Sequence, residues 1–141
     1  MNMRKLFFCG LITLGLLSCN KEKNTTKSNL LLNDTIKLNF GTIYTNYENN
    51  ISLRFDSVIS DSRCPQTTTC YTSGDVVVRF TFSVNNNQNV FPLSMLGFIG
   101  TYKKDTIISS YRIKMLGLSP TPSTSQVIQT KDYVATALIQ R

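Results

Sequence analysis

The chain contains no histidine and no tryptophan. Without an imidazole it cannot run Ser-His-Asp or Cys-His nucleophilic catalysis, and it cannot build a histidine-ligated zinc site. Cysteine is also scarce. Of the four, Cys9 and Cys19 lie near the N-terminus, which leaves only Cys64 and Cys70 for the rest of the chain. Two thiols without a histidine fall short of a four-ligand zinc site, and their spacing is not the C-x-x-C of a redox dithiol. Acidic residues number eight, and no motif sets two of them as the facing pair of a glycosidase. These absences argue against an enzyme, and no cofactor is implied. The net charge is +7, or +5 once Arg4 and Lys5 are set aside with the leader. The remaining basic residues are scattered and are not interleaved with stacking aromatics, so a nucleic-acid partner finds no support. What is present, 41% hydrophobic and 16% charged residues, suits one folded domain and not a disordered chain.

The N-terminus reads as an export signal. Arg4 and Lys5 supply the positive start, and residues 6–17 form an apolar run. At about a dozen residues, that run is too short for a membrane span, which needs roughly twenty. It ends Leu16-Leu17-Ser18-Cys19, which resembles a bacterial lipobox: cleavage precedes Cys19, and its thiol carries a diacylglyceryl group. Several acyl chains together anchor durably where one does not. The reading is therefore a signal peptide over residues 1–18, a lipid-anchored Cys19 opening a polar, flexible tether over residues 19–29, and a domain over residues 30–141. Asn20 is not the aspartate that retains many lipoproteins in the inner membrane, which favours the outer membrane. The anchored domain is expected on either the periplasmic or the surface face of that membrane.

Alternating apolar residues mark the strands. Ile36, Leu38 and Phe40 form one set, and Ile51, Leu53 and Phe55 another. Val58 falls out of phase with the second set, so a bulge is expected near Asp56-Ser57. Val76, Val78, Phe80, Phe82 and Val84 give the clearest strand. The asparagine-rich residues 85–89 read as a turn, and the next strand carries Pro92, which suits an edge. Residues 41–50 read as a loop. A second hairpin is expected about Lys103-Lys104-Asp105, with Tyr111, Ile113 and Met115 on one face. Residues 119–125 read as a surface loop, and residues 132–140 as a last strand. The expectation is an all-β domain: an antiparallel β-sandwich of about six to eight strands, immunoglobulin-like in size. An open β-barrel is the alternative.

The chain is organised around residues 61–75, Asp61-Ser62-Arg63-Cys64-Pro65-Gln66-Thr67-Thr68-Thr69-Cys70-Tyr71-Thr72-Ser73-Gly74-Asp75. In an exported protein Cys64 and Cys70 are expected to form a disulfide closing a short loop. Asp61, Arg63 and Asp75 flank it. They read either as a polar site for a ligand or cation, or as a brace in which Arg63 bridges the carboxylates and loop carbonyls; the commonness of Arg–carboxylate forks favours the brace. Tyr44, Tyr47, Tyr71 and Tyr102 read either as a binding face or as strand-end packing. Asp34-Thr35-Ile36, Asp56-Ser57-Val58 and Asp105-Thr106-Ile107 resemble O-glycan acceptor sequences, with Thr106 expected at an exposed hairpin.

At Asp61-Ser62-Arg63-Cys64-Pro65, then Cys70 and Gly74, the chain resembles a widespread group of small bacterial lipoproteins of unknown function, of the Bacteroidota type. Their pattern runs D-S-R-C-P, four residues, C, three residues, G, then a strand. Their second half runs Y-x-apolar-x-apolar-x-x-L-x-P-x-P and then D-Y-x-A. Tyr111 to Pro122 and Asp132-Tyr133-Val134-Ala135 fit it, so the likeness covers Ile51 to the end. Where those proteins commonly have Trp-Ala before the glycine, this chain has Thr72-Ser73. The resemblance implies an envelope lipoprotein domain and supplies no activity and no catalytic residue. Two functional expectations follow: a non-enzymatic domain that binds a protein or glycan or serves structurally, held to the membrane by its anchor; or an inhibitor or immunity-type protein presenting the 65–69 loop to an enzyme.

Overall fold

A computed structural model describes residues 28–97, 100–125 and 127–141. The lipobox, Cys19 and most of the expected tether lie outside the described residues. The strands are β1 (Ser28–Asn29), β2 (Thr35–Asn39), β3 (Ile43–Asn46), β4 (Ile51–Asp61), β5 (Val76–Val84), β6 (Asn87–Ser94), β7 (Asp105–Ile108), β8 (Tyr111–Ser119) and β9 (Val134–Gln140). A single-turn 3₁₀ helix, Thr130–Asp132, precedes β9. The strands form two sheets, one of five in the order β1-β3-β4-β5-β6 and one of four in the order β2-β9-β8-β7. Neither closes on itself, and the domain is the expected β-sandwich, not the barrel. No helix among the described residues is long and apolar enough to cross a membrane.

Period-two patterning builds the core. Ile51, Leu53 and Phe55 of β4 and Val76, Val78, Phe80 and Phe82 of β5 are buried, facing Tyr111, Ile113 and Met115 of β8 and Ala135, Ala137 and Ile139 of β9. Phe82 and Tyr111 meet edge-on across the sheets, with centroids 5.7 Å apart. In the second sheet Met115 pairs with Ala137 and Leu118 with Ala135, so large side chains sit beside small ones. Each fully buried Phe, Leu or Ile contributes about 1.5–3 kcal/mol.

The expected bulge is present: the β4–β5 register shifts between Phe55 and Ser57, and again between Val58 and Ser60. The extra residues let β4 run eleven residues, as far as Asp61. A third shift, between Met115 and Gly117 in the β8–β9 pair, moves the buried phase of β8 from Met115 to Leu118. β6, which holds Pro92, is an edge strand as expected.

Several expectations need correction. Residues 43–46 form β3, because Tyr44 buries its ring and its hydroxyl accepts from the Asn39 N–H at 3.1 Å. Polar composition hid that strand. The second hairpin turns at Ser109-Ser110, both at positive φ, and not at Lys103-Lys104-Asp105. Lys103 and Lys104 instead give their carbonyls to the Ser94 and Met115 N–H groups. Thr106 therefore lies within β7 and is half-buried, whereas Thr35 is exposed. Ser28 and Asn29, expected in the tether, pair in parallel with Tyr44 and Thr45. Leu30 behind them is buried, and its carbonyl accepts from Asn46 Nδ2 at 3.0 Å.

Candidate functional site

Residues 62–75 leave the end of β4 and return into β5, and the ladder continues past both strands. The Ser62 N–H donates to the Asp75 carbonyl at 2.9 Å and the Cys64 N–H to the Ser73 carbonyl at 3.0 Å. Ser62 Oγ also donates to the Asp75 carbonyl at 2.9 Å and accepts from the Asp75 N–H at 3.1 Å. Gly74 closes the return at φ +65°, where a Cβ would overlap the Ser62 carbonyl oxygen. No other residue type fits that position without moving the backbone.

The charged residues reach beneath this loop to the other sheet. Arg63 is buried. Its Nε and Nη2 fork onto Asp61 at 2.8 and 2.6 Å. Nη1 donates to the Leu118 carbonyl, and Nη2 also to that of Pro120 at 2.9 Å. Tyr133, immediately before β9, donates its hydroxyl to Asp61 at 3.1 Å. One guanidinium and one carboxylate thus tie the end of β4 to the end of β8 and the start of β9. Burial opposes ionisation of Asp61, but the bonds and charge of Arg63, helped by Tyr133, outweigh it and hold the carboxyl below its ordinary range. Tyr133 shifts upward, through burial and then the charge of Asp61.

Asp75 does a separate job. Ser94 donates its hydroxyl to Asp75 Oδ2, and the Leu96 N–H donates to Oδ1 at 3.0 Å. Asp75 so fixes the chain as it leaves β6, and the Ser94 hydroxyl accepts from the Gly97 N–H at 2.7 Å. Of the two readings the geometry fits the brace: Arg63 takes Asp61 and two carbonyls, one at the end of β8 and one just past it. The carbonyls are those of residues 118 and 120, not the loop's own as expected. Among the described residues no buried side-chain nitrogen or oxygen lacks a hydrogen-bond partner. No cluster of three or more potential metal-ligating side chains occurs among them either.

On this base stands the loop. Cys64 and Cys70 are joined, with Cα atoms 5.9 Å apart. Residues 66–73 are exposed throughout, and the Tyr71 ring is fully so. The Gln66 N–H donates to the Pro122 carbonyl at 3.1 Å, and the Thr67 and Thr124 hydroxyls lie 2.8 Å apart, so the 119–125 segment buttresses one flank. On another flank a shallow hollow of about 530 Å³ is lined by Cys64, Gly74, Met95, Leu96, Leu118 and Thr121, among others. Tyr44 is buried in the core and does not join Tyr71 in a binding face.

Sequence reading singled out Asp61, Arg63, Asp75 and the two cysteines but missed Ser62, Ser94 and Tyr133 as their partners. The available signal was the pairing of two patterned stretches, residues 61–75 and 111–135, which the fold brings together at Asp61–Tyr133 and Arg63–Leu118. No protein-family model, no curated protein and no solved structure matches the chain.

Proposed function

We propose that this protein is a cell-envelope lipoprotein, anchored in the outer membrane through Cys19, whose sandwich is a non-enzymatic binding domain. One observation carries the binding part: Asp61 and Arg63 are committed to internal hydrogen bonds, while residues 66–73, which take in most of the disulfide-closed loop above them, are exposed. A loop held at both ends loses little entropy when it meets a partner. Tyr71 is the natural anchor, being a large amphipathic ring with few rotamers to freeze. The partner is a protein or glycan of the envelope. The same exposure favours a second reading, an inhibitor or immunity-type protein that presents the 65–69 loop to an enzyme.

The anchor is tested by labelling cells with a fatty-acid analogue. The wild type is tagged and Cys19→Ala is not; equal tagging of both sinks the anchor. The loop is tested separately by capture from envelope extracts with the wild type, Tyr71→Ala, and a variant carrying Gly-Ser in place of residues 66–69. A partner held by the wild type and lost from both loop variants supports the reading. A partner retained by both places the binding surface elsewhere.

A further inference from the structure

At the end of the sandwich opposite the brace, three turns enclose a polar hollow of about 410 Å³. Glu48 and Asn49 come from the β3–β4 turn, Asn85 from the β5–β6 turn, Asn87 from the first position of β6, Ser109 from the β7–β8 turn, and Arg141 from beyond β9. The volume lies within the range of small-ligand sites.

Turn chemistry explains only part of this composition. Asn50, Asn85 and Asn86 sit at φ 49°, 49° and 67°, where asparagine is among the better-tolerated residues. It does not call for Glu48, Asn49, Asn87 or Arg141. Ser109 and Ser110 hold φ 48° and 72° in a two-residue turn where Asn-Gly is the relaxed choice. The chain thus keeps a less favourable residue whose hydroxyl lines the hollow, and departures of this kind gather at binding sites.

The walls are set in advance. Asn50 Nδ2 donates to Asn85 Oδ1 at 3.0 Å, and Asn49 Nδ2 to Asn46 Oδ1 at 3.0 Å. Arg141 Nη1 donates to Asn49 Oδ1 at 3.2 Å while its guanidinium lies 5.6 Å from the centre of the Tyr111 ring. Left over are the Asn85 amide N–H groups, the whole Asn87 carboxamide, the Ser109 hydroxyl and the Glu48 carboxylate. Glu48 has no ion pair among the described residues.

We propose that this hollow is a saccharide site that takes a neutral oligosaccharide. A carboxamide both donates and accepts, as a sugar hydroxyl does, so amides and a serine hydroxyl in one wall match adjacent hydroxyls of a ring. With Glu48 and Arg141 in the same wall, neither sign of ligand charge is favoured. The inference depends on neither the lipid anchor nor the disulfide loop.

The test is an NMR titration of the isotope-labelled full chain, solubilised in detergent. The probes are chitotriose, maltotriose and mannotriose, with sialyllactose as an anionic control and glycylglycine as a zwitterionic one. At least one neutral trisaccharide is expected to shift the side-chain amide signals of Asn49, Asn85 and Asn87. Glu48→Ala and Asn87→Ala should each weaken that binding by about tenfold, as the loss of a ligand hydrogen bond does. Their Tm values should match the wild type. The proposal is overturned if no neutral trisaccharide moves those signals, if only a control does, or if both variants bind as the wild type does.

Discussion

At one end of the sandwich the strands are joined by long connections, residues 62–75, 95–104 and 120–133. At the other they are joined by tight turns at residues 47–50, 85–86 and 109–110. A tight turn reverses the chain with few backbone groups to satisfy, through left-handed residues such as Asn50, Asn85 and Ser110. A long connection cannot, and its carbonyls and N–H groups need partners from elsewhere. Arg63 supplies one to residue 120, and another to residue 118 at the end of β8, and Asp75 supplies one to residue 96. The two ends therefore differ in what holds them: buried charge and a disulfide at one, residue-by-residue conformational preference at the other. Substitutions at the braced end should be costly and coupled across the sheets. Those at the turn end should be small, with coupling confined to exposed pairs such as Asn50 and Asn85.

The largest effect is expected for Gly74→Ala, which combines a left-handed backbone with overlap on the Ser62 carbonyl. It should lower stability by about 4–5 kcal/mol, at the far end of single-substitution costs. The midpoint of urea unfolding reads this directly, and a near-wild-type midpoint would mean that the loop is looser than its geometry.

Arg63→Ala comes next, at about 3–5 kcal/mol, because it strands the largely covered Asp61 carboxylate and two carbonyls. Its pH dependence sharpens the comparison. In the wild type the folded Asp61 pKa is lowered, so its stabilisation is present above the unfolded value of 3.8 and is lost as pH falls through the folded value. In the variant, burial without Arg63 works the other way, and protonation relieves the stranded carboxylate. The deficit of Arg63→Ala should shrink as unfolding is measured at progressively lower pH. A constant deficit would show that Asp61 is not what Arg63 holds.

Opening the disulfide with Cys64→Ser and Cys70→Ser should cost about 2–2.5 kcal/mol, since so short a loop gains little chain entropy. The domain should still fold, because the brace and core lie outside that loop. An unfolded double variant in circular dichroism would make the disulfide, and not Arg63, the main fastening of this end.

The smallest change is expected at the other end and has the opposite sign. Ser110→Gly should raise stability by about 0.5–1 kcal/mol, by relieving a positive-φ serine. A loss of stability would mean that the Ser110 side chain does more than occupy a turn.

Much of the fold was legible because it is written at period two. The alternation in residues 51–55 and 76–84 marks β4 and β5, and the out-of-phase Val58 marks the bulge. The disulfide was legible from the expected export signal and the short cysteine spacing. β3 and the β7–β8 turn were not. Ile43-Tyr44-Thr45-Asn46 becomes a strand because a neighbouring edge, β4, pairs with it, and Ser-Ser carries no turn signal of its own.

Residues 61–75 by themselves determined that a cysteine-closed loop flanked by Asp, Arg, Gly and Asp sits between two strands, since local spacing and side-chain chemistry suffice for that. Only the tertiary structure decided what the charged residues are for. The partners of Arg63 lie 55 and 57 residues away at Leu118 and Pro120, and that of Asp61 lies 72 away at Tyr133. Contacts over such separations depend on how two sheets stack and which of their ends coincide, and a local pattern carries no information about either.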